Sequence, residues 1–273
     1  MRYLRPTTLE QAIAGIGEGG IPLAGGTVLV PELKHSAGEN VTVVDIGRLA
    51  ALREMKVQHD DVQIGAAVTL ARLSAHADLQ RYATALVEAA ETVGNPQVRR
   101  AATVGGNIAL GIPGADLIPA LLVLDAEVML FGTAGEELLL IEQIIKNGMP
   151  AGRLITGIKI NFHESRRSRF RKFAWRLASG KTIVNVAAAL RIENGRIMAP
   201  KLTAGGLSKH PSRLPLAENF LDGQAWSDSL IEQAARAAAA EVVVDVISPP
   251  AEKYRRKLVA AGLRQLLTEM SRS

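Results

Sequence analysis

Up to about residue 160, short β-branched runs alternate with amphipathic stretches. Thr7-Thr8-Leu9-Glu10 reads as a helix start, because a Thr oxygen can accept from first-turn amides and an acid follows. That helix spans 9–15. A strand over 21–24 leads into a glycine turn, a short helix follows over 29–34, and 41–46 is a buried-type strand. Strand character returns over 52–57 and 62–68, joined by Gln58-His59-Asp60-Asp61. Thr69 caps a helix over 70–79, and a second helix over 81–93 stops at Gly94-Asn95-Pro96. An apolar helix over 116–124, a strand over 127–131, a turn over 132–137 and a strand or helix over 138–145 complete this part.

Beyond it the pattern changes. Residues 153–160, 169–175, 182–192 and 197–203 read as strands, and Glu193-Asn194-Gly195-Arg196 is a hairpin turn, since Asn-Gly suits positive φ at both centres. Two helices close the chain, over 228–243 and 252–268, with Ser248-Pro249-Pro250 between them. Mixed elements followed by an antiparallel meander with trailing helices predict an α+β protein with a boundary near 161–168. The expected division is 1–165, in subdomains of about 1–55 and 56–165, and then 166–273.

The chemistry concentrates in two glycine-rich segments. One is Pro22-Leu23-Ala24-Gly25-Gly26-Thr27-Val28-Leu29-Val30-Pro31; the other is Ala102-Thr103-Val104-Gly105-Gly106-Asn107-Ile108. Glycine allows positive φ and carries no Cβ, so backbone can approach a ligand closely. Successive amides can then form an anion-binding concavity, and two such turns could hold one pyrophosphate. A Gly-Gly step also occurs at ordinary turns, and neither segment fits G-x-G-x-x-G or G-x-x-x-x-G-K-[ST].

Composition narrows the choice. With 48% hydrophobic and 22% charged residues over 273 positions, the chain is globular rather than disordered. Aromatics at 4% argue against single-strand nucleic-acid binding on stacking platforms. The net charge of +5 is partly local: Arg166, Arg167, Arg169, Arg171, Lys172 and Arg176 crowd one segment. This reads as a solvated strand face, or as a surface for an acidic partner or anionic cofactor; no nucleic-acid motif accompanies it. There is no cysteine, so the chain can hold neither a thiolate-ligated iron–sulfur cluster nor a Cys-ligated zinc. His35, His59, His76, His163 and His210 show no ligand spacing, and no metal site is expected. Lacking a signal-like N-terminus or a long apolar run, the chain is expected in the cytoplasm without a membrane span.

Several further segments, in order, complete a pattern: Val44-Asp45-Ile46, Ile64-Gly65-Ala66-Ala67-Val68-Thr69-Leu70, Gln97-Val98-Arg99-Arg100-Ala101 before the second glycine segment, Pro113-Gly114-Ala115-Asp116-Leu117-Ile118-Pro119-Ala120, and the late Lys253-Tyr254-Arg255-Arg256. With the glycine segments, they make the chain resemble the FAD-binding subunits of molybdenum hydroxylases, the xanthine dehydrogenase and carbon monoxide dehydrogenase group, over nearly its whole length. The resemblance implies a two-subdomain FAD-binding region of the vanillyl-alcohol-oxidase-like (PCMH) kind, followed by a C-terminal antiparallel sheet with helices. It implies FAD as cofactor, held by Leu23, Ala24, Gly25, Gly26, Thr27, Val28 and Leu29 from one side and by Thr103, Gly105, Gly106 and Asn107 from the other. Asp116 matches an acid that contacts FAD hydroxyls, and reads equally as the cap of the following helix. Lys159 and Lys181 are candidate charges near the cofactor, with solvated lysines as the plainer reading; Lys181 is carried forward. Arg99 and Arg100 read as salt-bridge residues or phosphate contacts. Asn185 stands where some relatives carry a lysine. Tyr254, Arg255 and Arg256 are expected in packing and subunit contact.

The same resemblance implies an electron-transfer oxidoreductase subunit with no catalytic acid or base of its own. Its partners would be a large subunit bearing the molybdenum cofactor and a small subunit bearing [2Fe–2S] clusters; NAD⁺ or another acceptor would take the electrons. The arginine cluster is a candidate docking face. A stand-alone FAD oxidoreductase of the same fold group and a non-redox scaffold that has lost FAD are the alternatives.

Overall fold

The computed structural model describes residues 1–35, 40–112, 114–176, 180–246 and 249–272. Pro113 of the fifth segment and Ser248 before the proline pair lie outside them. The chain forms two compact units. The first comprises residues 1–73, 96–110 and 126–161; the second comprises 74–95, 111–125 and 162–273.

The first unit holds two sheets. In the smaller, β1 (Arg2–Leu4), β3 (Thr42–Asp45) and β2 (Ile21–Leu23) are parallel, with β3 central. The larger is antiparallel, in the order β4 (Met55–Val57), β5 (Asp61–Gly65), β8 (Leu154–Asn161), β6 (Glu127–Gly132), β7 (Gly135–Leu140). Helices α1 (Leu9–Gly17), α2 (Leu29–His35), α3 (Leu70–Ser74), α6 (Pro96–Ala101), α7 (Val104–Leu110) and α9 (Ile141–Asn147) connect the strands. Ala12 and Ile13 of α1 pack with Val44, Ile46, Leu52 and Leu154 in a shared apolar cluster, which sets the small sheet beside the large one.

The second unit is built on an antiparallel sheet in the order β12 (Ser212–Arg213), β11 (Arg196–Gly205), β10 (Thr182–Glu193), β9 (Arg166–Ala174). Helices α4 (Ala77–Tyr82), α5 (Thr84–Glu91), α8 (Leu117–Val123), α10 (Pro215–Leu221), α11 (Asp228–Glu241) and α12 (Glu252–Arg272) surround it. Every residue of α8 is buried, as a helix of seven apolar residues requires. Leu263, Leu266 and Leu267 of α12 join Val184, Val186 and Leu202 of the sheet in the unit's core.

The caps behave as their residue types dictate. Thr8 accepts from the Gln11 amide at 3.3 Å and Thr69 from the Arg72 amide at 3.3 Å. Asn194 and Gly195 take φ of 51° and 75°, the mirror-image hairpin turn that the Asn-Gly pair predicts.

Elsewhere the structure corrects the sequence reading. The helix expected over 70–79 ends at Ser74, and another begins after an extended His76. The helix expected over 81–93 is broken at Ala83, which leaves helical geometry at φ −136° and ψ 43°. The strand expected from 52 begins only at Met55, behind a short 3₁₀ turn over Ala50–Leu52. Pro96, read as part of a helix stop, starts a helix, because the first helical position has no amide partner to lose.

Candidate functional site

The two glycine segments both lie in the first unit but do different things. The first is a true turn between β2 and α2, with Gly26 at φ +67°, where a side chain is strained. The amides of Gly25, Gly26, Thr27 and Val28 donate to no acceptor among the described residues. Consecutive unengaged amides in a turn containing a left-handed glycine form an anion-binding concavity. Gly25 is needed for a second reason: a Cβ there would sit 2.0 Å from the Ala101 carbonyl oxygen, so the turn rests directly on the end of α6.

The second segment is not a loop. It opens α7, and its amides are spent on the chain itself: Val104 donates to Val68 O (3.0 Å), Gly105 to Ala66 O (2.9 Å), Gly106 to Thr103 Oγ1 (3.2 Å) and Asn107 to Thr103 O (3.0 Å). The expected amide concavity at this segment is therefore absent. Thr103 is buried and acts as a helix cap, and Gly105 is small because a Cβ would meet Ala66 Cβ at 2.6 Å. What this segment leaves accessible is the exposed Gly106 and the half-buried Asn107.

Asp45, at the end of β3, is buried and accepts from Tyr3 Oη at 2.7 Å and the Gly47 amide at 3.1 Å. That hydrogen bond to a carboxylate holds the Tyr3 phenol above its ordinary pKa. The Val44-Asp45-Ile46 segment is thus a structural pin, closing the turn at Gly47.

Asp116 and Lys181 belong to the second unit. Asp116 stands at the cap position of α8 but makes no cap hydrogen bond. The residue is 4% exposed, and its carboxylate accepts from Lys172 Nζ (2.6 Å), Thr182 Oγ1 (2.9 Å) and Asn185 Nδ2 (3.0 Å). Sequence reasoning missed Lys172 as the partner of Asp116. Its only signal was one lysine among arginines. Lys181 is exposed, next to Thr182. Lys159 pairs with Asp61 at 3.4 Å on the large sheet. There it lines a shallow hollow of about 320 Å³ with Gln63, Met129 and Thr156, which includes no residue of either glycine segment.

The arginine cluster is largely an internal device. Arg169 pairs with Glu88 (2.9 Å), Arg171 with Glu269, and Arg167 donates to Met270 O (2.7 Å). Burial lowers the Arg166 guanidinium pKa, partly offset by Asp125. These cations tie β9 to α5 and α12, so a docking role for Arg166, Arg167 and Arg169 is not carried forward. Arg99 and Arg100 lie on α6. Of the late segment, Tyr254 is half exposed, whereas Arg255 is 3% exposed and donates to the carbonyls of Ile183, Gly206, Pro249 and Pro250. Arg256 pairs with Glu252 at 2.8 Å and reaches Ala239 O.

The first unit thus has a parallel and an antiparallel sheet with a glycine turn of unengaged amides, and the second an antiparallel sheet flanked by helices. The chain belongs to the family described as FAD binding domain in molybdopterin dehydrogenase, whose model matches residues 1–161. A second model, CO dehydrogenase flavoprotein C-terminal domain, matches residues 169–270. The chain is 26% identical to the glyceraldehyde dehydrogenase medium chain of Sulfolobus acidocaldarius, over 94% of this chain and 93% of that one. It is 27% identical to the xanthine dehydrogenase FAD-binding subunit of Escherichia coli O157:H7, over 98% and 94%. The crystal structure of a cyanide-inactivated Cu,Mo-CO dehydrogenase superposes with a TM-score of 0.91 at 23% identity, over 100% of this chain and 98% of that one, which shows the fold. The cofactor of the chain is FAD. Among the described residues no helix is long and apolar enough to cross a membrane.

Proposed function

We propose that this chain is the FAD-carrying electron-transfer subunit of a molybdenum hydroxylase complex. The observation that carries the reading is the run of unengaged amides from Gly25 to Val28, in a chain whose family binds FAD. These amides, with Leu23, Ala24, Thr27 and Leu29 around them, supply donors for a pyrophosphate without a bulky side chain. Thr103, Gly105 and Gly106 set the start of α7, and Asn107 presents an amide side chain that can both donate and accept. Asp116 is proposed as an acceptor for cofactor hydroxyls and Lys181 as a positive charge for the cofactor.

When bound, FAD supplies the hydride and single-electron chemistry, and the protein contributes position, electrostatics and exclusion of water. No residue is assigned as a general acid or base. The chain has no cysteine, so iron–sulfur clusters must come from a partner. The partners of this reading are a large subunit with the molybdenum cofactor and a small [2Fe–2S] subunit. The final acceptor is NAD⁺ or an alternative oxidant, and the setting is the cytoplasm. The medium-chain names of relatives support a multi-subunit assembly. A boundary between the FAD region and the C-terminal domain near 161–168 is part of this reading; it is supported by the two family models, which end at 161 and begin at 169.

The test is anaerobic. The FAD-loaded chain, co-expressed with molybdenum-cofactor and [2Fe–2S] subunits of the same family from its own organism, is expected to co-purify with both and to lose its flavin absorbance on adding NADH. A chain that purifies alone, and whose flavin is reduced directly by a small substrate without partners, would instead be a stand-alone oxidoreductase.

A further inference from the structure

Within the first unit, the strand that leads into the amide turn ends beside a buried carboxylate. Leu23 of β2 pairs with Asp45 of β3, and the Ile46 amide donates to Leu23 O at 2.9 Å. Beyond that bond the two chains part: one enters the turn at Ala24, the other turns at Gly47. They still meet at one point. A Cβ on Gly47 would lie 3.2 Å from the Ala24 carbonyl oxygen and 3.5 Å from the Ala24 Cα, so backbone lies against backbone there. Gly25, the next residue of the turn, rests on the Ala101 carbonyl. Both residues that open the turn are therefore seated on backbone.

One of those seats depends on a side chain. Asp45 is 9% exposed, and its Oδ1 accepts from the Gly47 amide at 3.1 Å. A carboxylate that takes the amide two residues on closes a local turn and fixes where that residue stands. Its Oδ2 accepts from Tyr3 Oη at 2.7 Å. Tyr3 of β1 pairs with Val43, so Asp45, two positions further along β3, projects from the same face of the sheet. All three strands of the small sheet thus meet at this carboxylate: β1 reaches it through Tyr3, β3 carries it, and β2 ends beside it.

We propose that Asp45, held by Tyr3, is a positioning residue for the cofactor's pyrophosphate. Through Gly47 and Ala24 it sets the direction in which the Gly25–Val28 amides point. The proposal rests on the reading that those amides hold the FAD pyrophosphate. Asp45 touches no cofactor in this account, since its oxygens are taken by Tyr3 and Gly47; it holds the backbone that does.

The experiment uses the full chain and FAD as the probe. Binding is followed by quenching of flavin fluorescence, and the bound pyrophosphate by its phosphorus NMR resonances, which report the amides around it. Thermal unfolding of the flavin-free chain is measured beside them, and binding is read where every variant is folded. Asp45→Ala is expected to raise the Kd for FAD at least tenfold and to move the bound phosphorus resonances. Asp45→Asn keeps an acceptor for the Gly47 amide and is expected to restore most of both. Should Asp45→Ala fail to fold, Tyr3→Phe decides: it frees one carboxylate oxygen and is expected to raise the Kd several-fold and to move the same resonances. Folded variants with wild-type Kd and resonances, whatever their melting temperature, would overturn the proposal alone. So would an Asp45→Asn chain as impaired as Asp45→Ala. A wild-type chain that takes up no FAD, or whose bound FAD keeps the phosphorus resonances of free FAD, would overturn the underlying reading and the proposal with it.

Discussion

Gly25 and Gly26 are neighbours with different physical duties, and substitution should separate them. A Cβ at Gly25 meets the Ala101 carbonyl oxygen at 2.0 Å, backbone that can retreat only by moving α6. Gly25→Ala is expected to cost about 1–3 kcal/mol in chemical denaturation, as overpacking does. Gly26→Ala meets the side-chain ends of Val30 and Leu23, and must hold φ +67°, which costs about 1–2 kcal/mol for a residue with a Cβ. Its larger effect is expected on FAD affinity, since relaxing that φ turns the amides of the concavity apart. Asp116→Ala strands the buried Lys172 and is expected to cost about 3–5 kcal/mol in the same measurement. Local chemistry was readable in the chain: Thr8 and Thr69 cap as their hydroxyls require, and the Asn194–Gly195 turn follows from its residue types. The partners of Asp116 were not, because Lys172, Thr182 and Asn185 lie 56, 66 and 69 positions away and only strand pairing brings them together.

The elements show where local rules yield to packing. Val104–Leu110 is helical despite two glycines, because Thr103 caps it and its first amides find acceptors at Ala66 and Val68. No sequence pattern signals that, so the segment reads as a loop. The helix that begins at Pro96 is hidden in the same way by a residue that usually marks a stop. Between α11 and α12, Glu232 accepts from Arg264 (2.6 Å) and Arg236 (2.8 Å), and these hydrogen bonds hold its pKa at about 2, against an ordinary 4.5. A depressed folded-state pKa gives stability that is complete above about 4.5 and fades as pH falls toward 2. The stability difference between wild type and Glu232→Gln should therefore shrink over that window, and shrink further in high salt because the pair is exposed to solvent. A difference that stays constant from pH 6 to pH 2 would refute the assignment. At the other end of α12, Arg255→Met removes the donors to the buried Ile183 and Gly206 carbonyls. It is expected to cost at least about 2 kcal/mol in denaturant unfolding.

At the scale of the whole molecule, the alternation of elements before residue 160 and the meander after it were legible because hydrophobic period is a long-range average that single misread turns do not spoil. The finer parentage of elements was not. Residues 74–95 and 111–125 pack within the second unit although they precede the change of pattern, because Glu88 pairs with Arg169 of β9 and the apolar α8 packs onto β10 and β11. The arginine cluster looked like a surface because six cations in one short stretch have no local counter-charges; Glu88, Asp116 and Glu269 supply them from far along the chain.

The central claim is that this chain carries FAD. The most direct measurement is an absorbance scan of the purified full-length chain, followed by heat release and mass analysis of any yellow ligand and, where none is bound, by titration with added FAD. The account predicts flavin bands and one FAD per chain, either as purified or after saturable uptake. A chain that is colourless as isolated and shows no saturable binding of added FAD would contradict it.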